Sequence, residues 1–126
     1  MTLDELFKRE GADKQTGMHG YAPVYEELFE PRRHEPLTLL EIGVYQGASI
    51  RSWLEYFPIA RIIGVDCDAQ FLSFSERYEF FHGRQEDPKF LDGVRKAAGP
   101  FDIVIDDGSH RPNDQRVSFM ELWPVL

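Results

Sequence analysis

The sequence predicts an α/β domain built on an open parallel sheet with helices on both faces. Three observations predict it. Apolar runs of strand length alternate with helical stripes, the first such run is apolar enough to be buried on both faces, and a glycine-bracketed turn joins that run to the next helix. Such alternation selects parallel pairing through right-handed crossovers.

Leu3, Leu6 and Phe7 set a short first helix. Beyond the interval from Gly11 to Gly20, Pro23 opens a second helix with Val24, Tyr25, Leu28 and Phe29 on one apolar stripe, stopping near Pro31. Leu37 to Ile42 is interrupted only by Thr38 and Glu41 and reads as the first strand. Ile50, Trp53, Leu54 and Phe57 fall at i, i+3, i+4 and i+7, so residues 48 to 57 form an amphipathic helix that ends at Pro58. Arg61 to Asp66 is the second strand and Glu79 to His82 a weaker third. Asp87 as N-cap and Pro88 at the first position open a helix carrying Phe90, Leu91 and Val94, closed by Gly99-Pro100. Phe101 to Asp106 is the fourth strand, and Pro112 to Trp123, with Val117, Met120 and Trp123 on one stripe, is the last helix. Ligands of such sheets sit beyond the carboxyl ends of the strands, which places the chemistry at residues 43 to 49, 66 to 68, 83 to 87 and 106 to 110.

The 126 residues suffice for one domain, and 42% apolar with 29% charged residues is too hydrophobic a balance for a disordered chain. The net charge of −8 offers no basic patch for phosphates and argues against a nucleic-acid partner. No apolar run approaches the roughly 20 residues of a membrane span. Met1-Thr2-Leu3-Asp4-Glu5 lacks the basic and apolar regions of a signal peptide, so the expectation is a cytoplasmic protein with no membrane partner. The single cysteine, Cys67, reads as a small buried residue in a reducing compartment.

Gly43 and Gly47 bracket the turn after the first strand, where a missing side chain lets the backbone approach a ligand. Glu41 is a carboxylate in an apolar run, costly to bury unless something cationic or hydrogen-bonding answers it. Asp66 ends the second strand 23 residues after Gly43, close to the spacing at which an acid accepts hydrogen bonds from a ribose. A dinucleotide turn requires Gly-x-Gly-x-x-Gly, and Tyr45 stands where its second glycine belongs. Glu41 would also repel a pyrophosphate while tolerating the ammonium of an amino-acid tail. S-adenosylmethionine has both properties: no phosphate and an amino-acid tail. A structural tight turn with a solvent-facing acid is the competing reading, and a nicotinamide-dependent dehydrogenase is disfavoured by Tyr45 and the lack of a third glycine.

The second constellation runs from Phe101 to His110, with Asp106 and Asp107 at the ligand-facing end of a buried strand and His110 three residues on. Asp106 and Asp107 point in different directions, so one can face the cofactor and the other a cation or substrate. An imidazole near pKa 6.5 suits His110 to accept a proton from an attacking hydroxyl. Equally, one aspartate caps the next turn and His110 lies at the surface.

Several blocks in order carry a family likeness: His19-Gly20-Tyr21, Leu40-Glu41-Ile42-Gly43-Val44, Gly47-Ala48-Ser49, Tyr56-Phe57-Pro58, Gly64-Val65-Asp66, and Phe101 through His110. Over nearly its whole length the chain resembles the macrocin and mycinamicin type of metal-dependent sugar O-methyltransferases. The resemblance implies a Rossmann-like fold, an amino-terminal helical lid over 1–36 and a cofactor-binding half over 37–126, cut short after the fourth strand and its following helix. It implies that Tyr21, Glu41, Gly43, Gly47, Ser49, Asp66, Gln85 and Asp106 hold S-adenosylmethionine, with Gln85 near the adenine. It also assigns Asp107 to magnesium and His110 to the general base, acting on a small-molecule hydroxyl acceptor of sugar character. The chain departs from the family pattern at Arg84, where an acid is common. The family continues into a further strand ending in Glu-Asp, so the chain is expected to be part of a longer enzyme. The edge of the fourth strand is then left open. A second reading of another class follows from that edge: a non-catalytic nucleoside-binding or assembly module that pairs through it, with a homo-oligomer left open.

Overall fold

The computed structural model describes residues 1–10, 22–44, 47–68 and 75–106. The element order is α1 (Leu3–Glu10), α2 (Ala22–Phe29), a short 3₁₀ turn (Glu30–Arg32), β1 (Thr38–Ile42), α3 (Ala48–Tyr56), β2 (Arg61–Asp66), β3 (Tyr78–His82), α4 (Pro88–Ala98) and β4 (Ile103–Asp106). The strands form one parallel sheet in the order β3-β2-β1-β4. The chain builds outward from β1 to β3 and then returns to place β4 on the other side of β1, which puts the switch point between β1 and β4. The expected helix from Pro112 to Trp123 lies outside the described residues.

Alternation along the strands sorts the core into two clusters. Leu39, Ile62, Ile103 and Ile105 face α1 and α3, where Leu3, Leu6, Phe7, Ile50, Trp53 and Phe57 cover them. Leu40, Ile42, Ile63 and Val65 face α4 through Val94 and Ala98. Trp53 is completely buried and holds the first cluster together. Phe7 meets it edge-on at 5.2 Å, and Tyr25, Phe29 and Phe57 surround it at 5.8, 6.0 and 6.1 Å. Each such buried side chain contributes about 1.5–3 kcal/mol, so burial of this aromatic face stabilises the sheet substantially. Leu28 departs from the expected stripe. It is 60% exposed because α2 turns Tyr25 and Phe29 inward and leaves Leu28 at the rim of a groove of about 490 Å³ beside β4.

Local signals fix the element ends. Asp87 accepts from the amides of Lys89 and Phe90 at 3.1 and 3.5 Å, the expected N-cap of α4, with Pro88 at its first position. Arg77, just ahead of β3, donates to the carbonyls of Leu54, Phe57 and Ala60 at 2.6, 2.8 and 2.8 Å. It thereby satisfies acceptors at and beyond the end of α3 that the helix itself cannot pair. Among the described residues no helix is long and apolar enough to cross a membrane.

Candidate functional site

The carboxyl ends of β1, β2 and β4 meet at one edge of the sheet, and the loop after β3 joins them. Gly43 (φ 94°) and Gly47 (φ 83°) both adopt left-handed backbone, a conformation in which a Cβ would be strained. The Gly43 amide continues the ladder to the Val65 carbonyl at 2.8 Å, and the Gly47 amide closes the turn onto the Val44 carbonyl at 2.9 Å. Gly47 is also the N-cap of α3 and brings no side-chain acceptor to that helix's first amides. Ser49, in the first turn, is buried.

Two carboxylates are buried around this turn. Glu41 is 0% exposed, with Gly64 and Ile105 as its register partners on either side. Asp66 is 6% exposed; its Oδ2 accepts from the Val44 amide at 2.9 Å and its Oδ1 from the Asp68 amide at 2.9 Å. The acid at the end of β2 therefore fixes the glycine turn after β1. Across the sheet, Gln85 is 6% exposed and its Nε2 donates to Asp106 Oδ1 and Oδ2 at 3.2 and 3.1 Å. The structure thus brings Glu41, Gly43, Gly47, Ser49 and Asp66 together around the carboxyl ends of β1 and β2, with the Gln85–Asp106 pair spanning from the loop after β3 to the end of β4. Tyr45, Tyr21, Asp107 and His110 lie outside the described residues.

Cys67 is exposed, not buried as its residue type suggested. The strand ends at Asp66, so Cys67 already belongs to the turn. Partial desolvation and the neighbouring Asp66 and Asp68 carboxylates push its thiol pKa up, the opposite of an activated nucleophile. Asp66, Cys67 and Asp68 bring three potential ligand atoms within 4.8 Å of one another. Arg84 is taken up by an ion pair with Glu86.

Tyr78 is the site residue that sequence reasoning missed. It stands one residue before the expected third strand, and a Cβ built on Gly64 would lie 2.6 Å from its hydroxyl and 2.8 Å from Val44 Cγ2. Burial, then the charges of Glu41 and Asp66, push its phenol pKa well up. The available signal was Gly64 itself, since a glycine inside an apolar strand often marks a close approach.

No family model matches the chain. Among curated proteins it is 40% identical to the 8-demethyl-8-(2-methoxy-alpha-L-rhamnosyl)-tetracenomycin-C 3'-O-methyltransferase of Streptomyces olivaceus, over 98% of this chain and 34% of that protein. It is 37% identical to the mycinamicin VI 2''-O-methyltransferase of Micromonospora griseorubida, over 97% of this chain and 32% of that protein. Among solved structures, the MycE methyltransferase from the mycinamycin biosynthetic pathway, in complex with Mg and SAH, superimposes with a TM-score of 0.95 at 36% identity, covering 100% of this chain and 34% of that one. The same enzyme in complex with Mg, SAH and mycinamycin VI also gives a TM-score of 0.95. The chain spans about a third of the length of the relatives it matches. By sequence and by fold, the chain is a homologue of the amino-terminal third of the macrocin- and mycinamicin-type sugar O-methyltransferases.

Proposed function

We propose that the chain is the cofactor-binding part of an S-adenosylmethionine-dependent O-methyltransferase that methylates a hydroxyl of a sugar or glycosylated natural product. The observation that carries this reading is the pair of buried carboxylates, Glu41 and Asp66, set around a turn whose two glycines adopt left-handed backbone. A ligand with an ammonium, a ribose and no phosphate fits that donor and acceptor set. In this reading Glu41 faces the ammonium, and Asp66, already oriented by the Val44 amide, accepts from the ribose hydroxyls through its remaining lone pairs. Gly43 and Gly47 admit the backbone close to the ligand, with Ser49 behind them. Gln85 and Asp106 border the adenine side, and Tyr21 belongs to a lid formed by residues 1–36. The remainder, residues 37–126, is the Rossmann-like half of the same domain.

When bound, the cofactor supplies an electrophilic methyl group. His110 accepts the proton of the acceptor hydroxyl as that oxygen becomes a nucleophile. Asp107 would hold magnesium. Among the described residues the metal-type cluster is the Asp66, Cys67 and Asp68 group on the nucleoside side. The relatives named for rhamnosyl and mycinamicin acceptors support a small-molecule sugar substrate. The acidic chain with its single cysteine supports a cytoplasmic enzyme, with a homo-oligomer compatible.

Titration calorimetry of the protein with S-adenosylhomocysteine tests the cofactor, and chelator-sensitive methyl transfer to a rhamnosylated acceptor tests the chemistry. Binding that is lost in Asp66→Ala is the expected result. Absence of binding, or binding unchanged by that substitution, overturns the reading.

A further inference from the structure

We infer that Phe90 is a positioning residue for the base end of the cofactor site: its ring, laid against Gly83, closes the segment between β3 and α4 and so fixes where Gln85 and Asp106 stand. The inference rests on the cofactor reading above, in which those two residues border the adenine. A Cβ built on Gly83 would lie 2.4, 2.5 and 2.5 Å from Phe90 Cε1, Cδ1 and Cζ, so the ring already fills the place of that side chain. Gly43 and Gly47 are required by left-handed backbone, but Gly83 is not among the glycines of positive φ. The ring, rather than the turn, is what requires a glycine there.

The contact closes a short segment whose other ties are hydrogen bonds. The Gly83 amide donates to the Asp66 carbonyl at 3.0 Å, which anchors one end to β2. The Asp87 carboxylate caps α4, and the Asp87 amide donates to the Arg84 carbonyl at 3.1 Å, which folds the middle into a turn. Phe90, in the first turn of α4, is half-buried against the cluster that includes Leu40, Ile42, Ile63 and Val65, so its ring ties Gly83 to the core. Gln85 lies between these ties, buried, and reaches Asp106 through Nε2. An ionised carboxylate only accepts hydrogen bonds. Held in place, Asp106 favours a base with a 6-amino donor over one with a 6-oxo group, whose lone pairs it repels. Loosening the segment costs that discrimination, while Asp66, bonded to the Val44 and Asp68 amides, keeps its place on the ribose side.

The test compares two ligands by calorimetry: S-adenosylhomocysteine and S-inosylhomocysteine, which share ribose and tail and differ at the 6-position of the base. The unsubstituted protein is expected to prefer the first by about tenfold, in line with one hydrogen bond to a charged group. Phe90→Leu keeps an apolar side chain in the cluster and loses the flat ring. It is expected to weaken S-adenosylhomocysteine about tenfold and S-inosylhomocysteine little, so that the preference disappears. Gly83→Ala, which pushes the ring off its seat, is expected to give the same split, and Phe90→Leu decides the question if Gly83→Ala does not fold. Combined with Gln85→Leu, Phe90→Leu is expected to add no further loss. A preference that survives Phe90→Leu, equal losses for both ligands, or additive losses in the double variant overturn the inference. If the unsubstituted protein binds neither ligand, the cofactor reading fails and takes this inference with it. If it binds both and Phe90→Leu behaves identically, only the role of Phe90 falls.

Discussion

The side-chain amide of Gln85 donates to both carboxylate oxygens of Asp106, at 3.2 and 3.1 Å, and so ties the loop after β3 to the end of β4 across the width of the sheet. Gln85→Leu keeps the volume and removes the donor. Because Asp106 is exposed, the loss in stability is expected at the low end for a charged hydrogen bond, about 1 kcal/mol by denaturant unfolding. Affinity for S-adenosylhomocysteine should fall about tenfold, since the end of β4 loses its tether. A variant that binds like the original would show that this pair does not shape the site.

Asp66→Ala deprives the Val44 amide of its acceptor in a buried setting. A stability loss of about 1–3 kcal/mol is expected, read as a lower denaturation midpoint with unchanged m-value. Asp66→Asn, which keeps one acceptor oxygen, should recover part of that loss and little of the ligand binding.

Gly64→Ala inserts a methyl group where Tyr78 and Val44 already converge. Overpacking of this kind costs about 1–3 kcal/mol. Tyr78→Phe in the Gly64→Ala background removes the nearest of the clashing atoms and should return part of the stability, leaving Val44 to account for the rest. A Gly64→Ala protein as stable as the original would contradict the crowding.

Tyr78 and Tyr56 give the fold an alkaline limit. Burial raises both phenol pKa values, with Glu41 and Asp66 adding to it at Tyr78 and the hydrogen bond to Glu30 adding to it at Tyr56. The folded state therefore keeps protons that the unfolded chain releases near pH 10. Stability is expected to hold below about pH 10 and to fall as pH rises above it, because the unfolded state then binds fewer protons. Absorbance at the tyrosinate band should show Tyr56 and Tyr78 ionising only with unfolding, and Tyr56→Phe and Tyr78→Phe should each shallow the decline. Ionisation of Tyr56 and Tyr78 near pH 10 in the folded protein would exclude this.

The elements that sequence reading placed well are those with a local cause. Asp87-Pro88 starts α4, Pro58 follows the end of α3, and the apolar run around Glu41 is a central strand buried on both faces. Glu41 and Asp66 were legible because a carboxylate inside or ending an apolar run stands out by itself. The Gln85–Asp106 bond was not, because it depends on strand order, which brings together residues 21 apart in sequence. Tyr78 was hidden because its partner is an absence, the missing Cβ of Gly64. Arg77 reads as an ordinary charged residue until β3 lies beside the end of α3. Cys67 was misjudged from residue type, when the end of β2 one position earlier decides its exposure.

The strand order also sets a sequence of events at the ribosome. β1, β2 and β3 emerge consecutively and can pair as they leave the exit tunnel, but β1 keeps one bare edge until Ile103–Asp106 follows. The part of the site that Asp106 supplies is thus the last to be delivered. A nascent chain stalled before residue 103 would present the open edge of β1, a strand that the folded protein buries on both faces, to its neighbours.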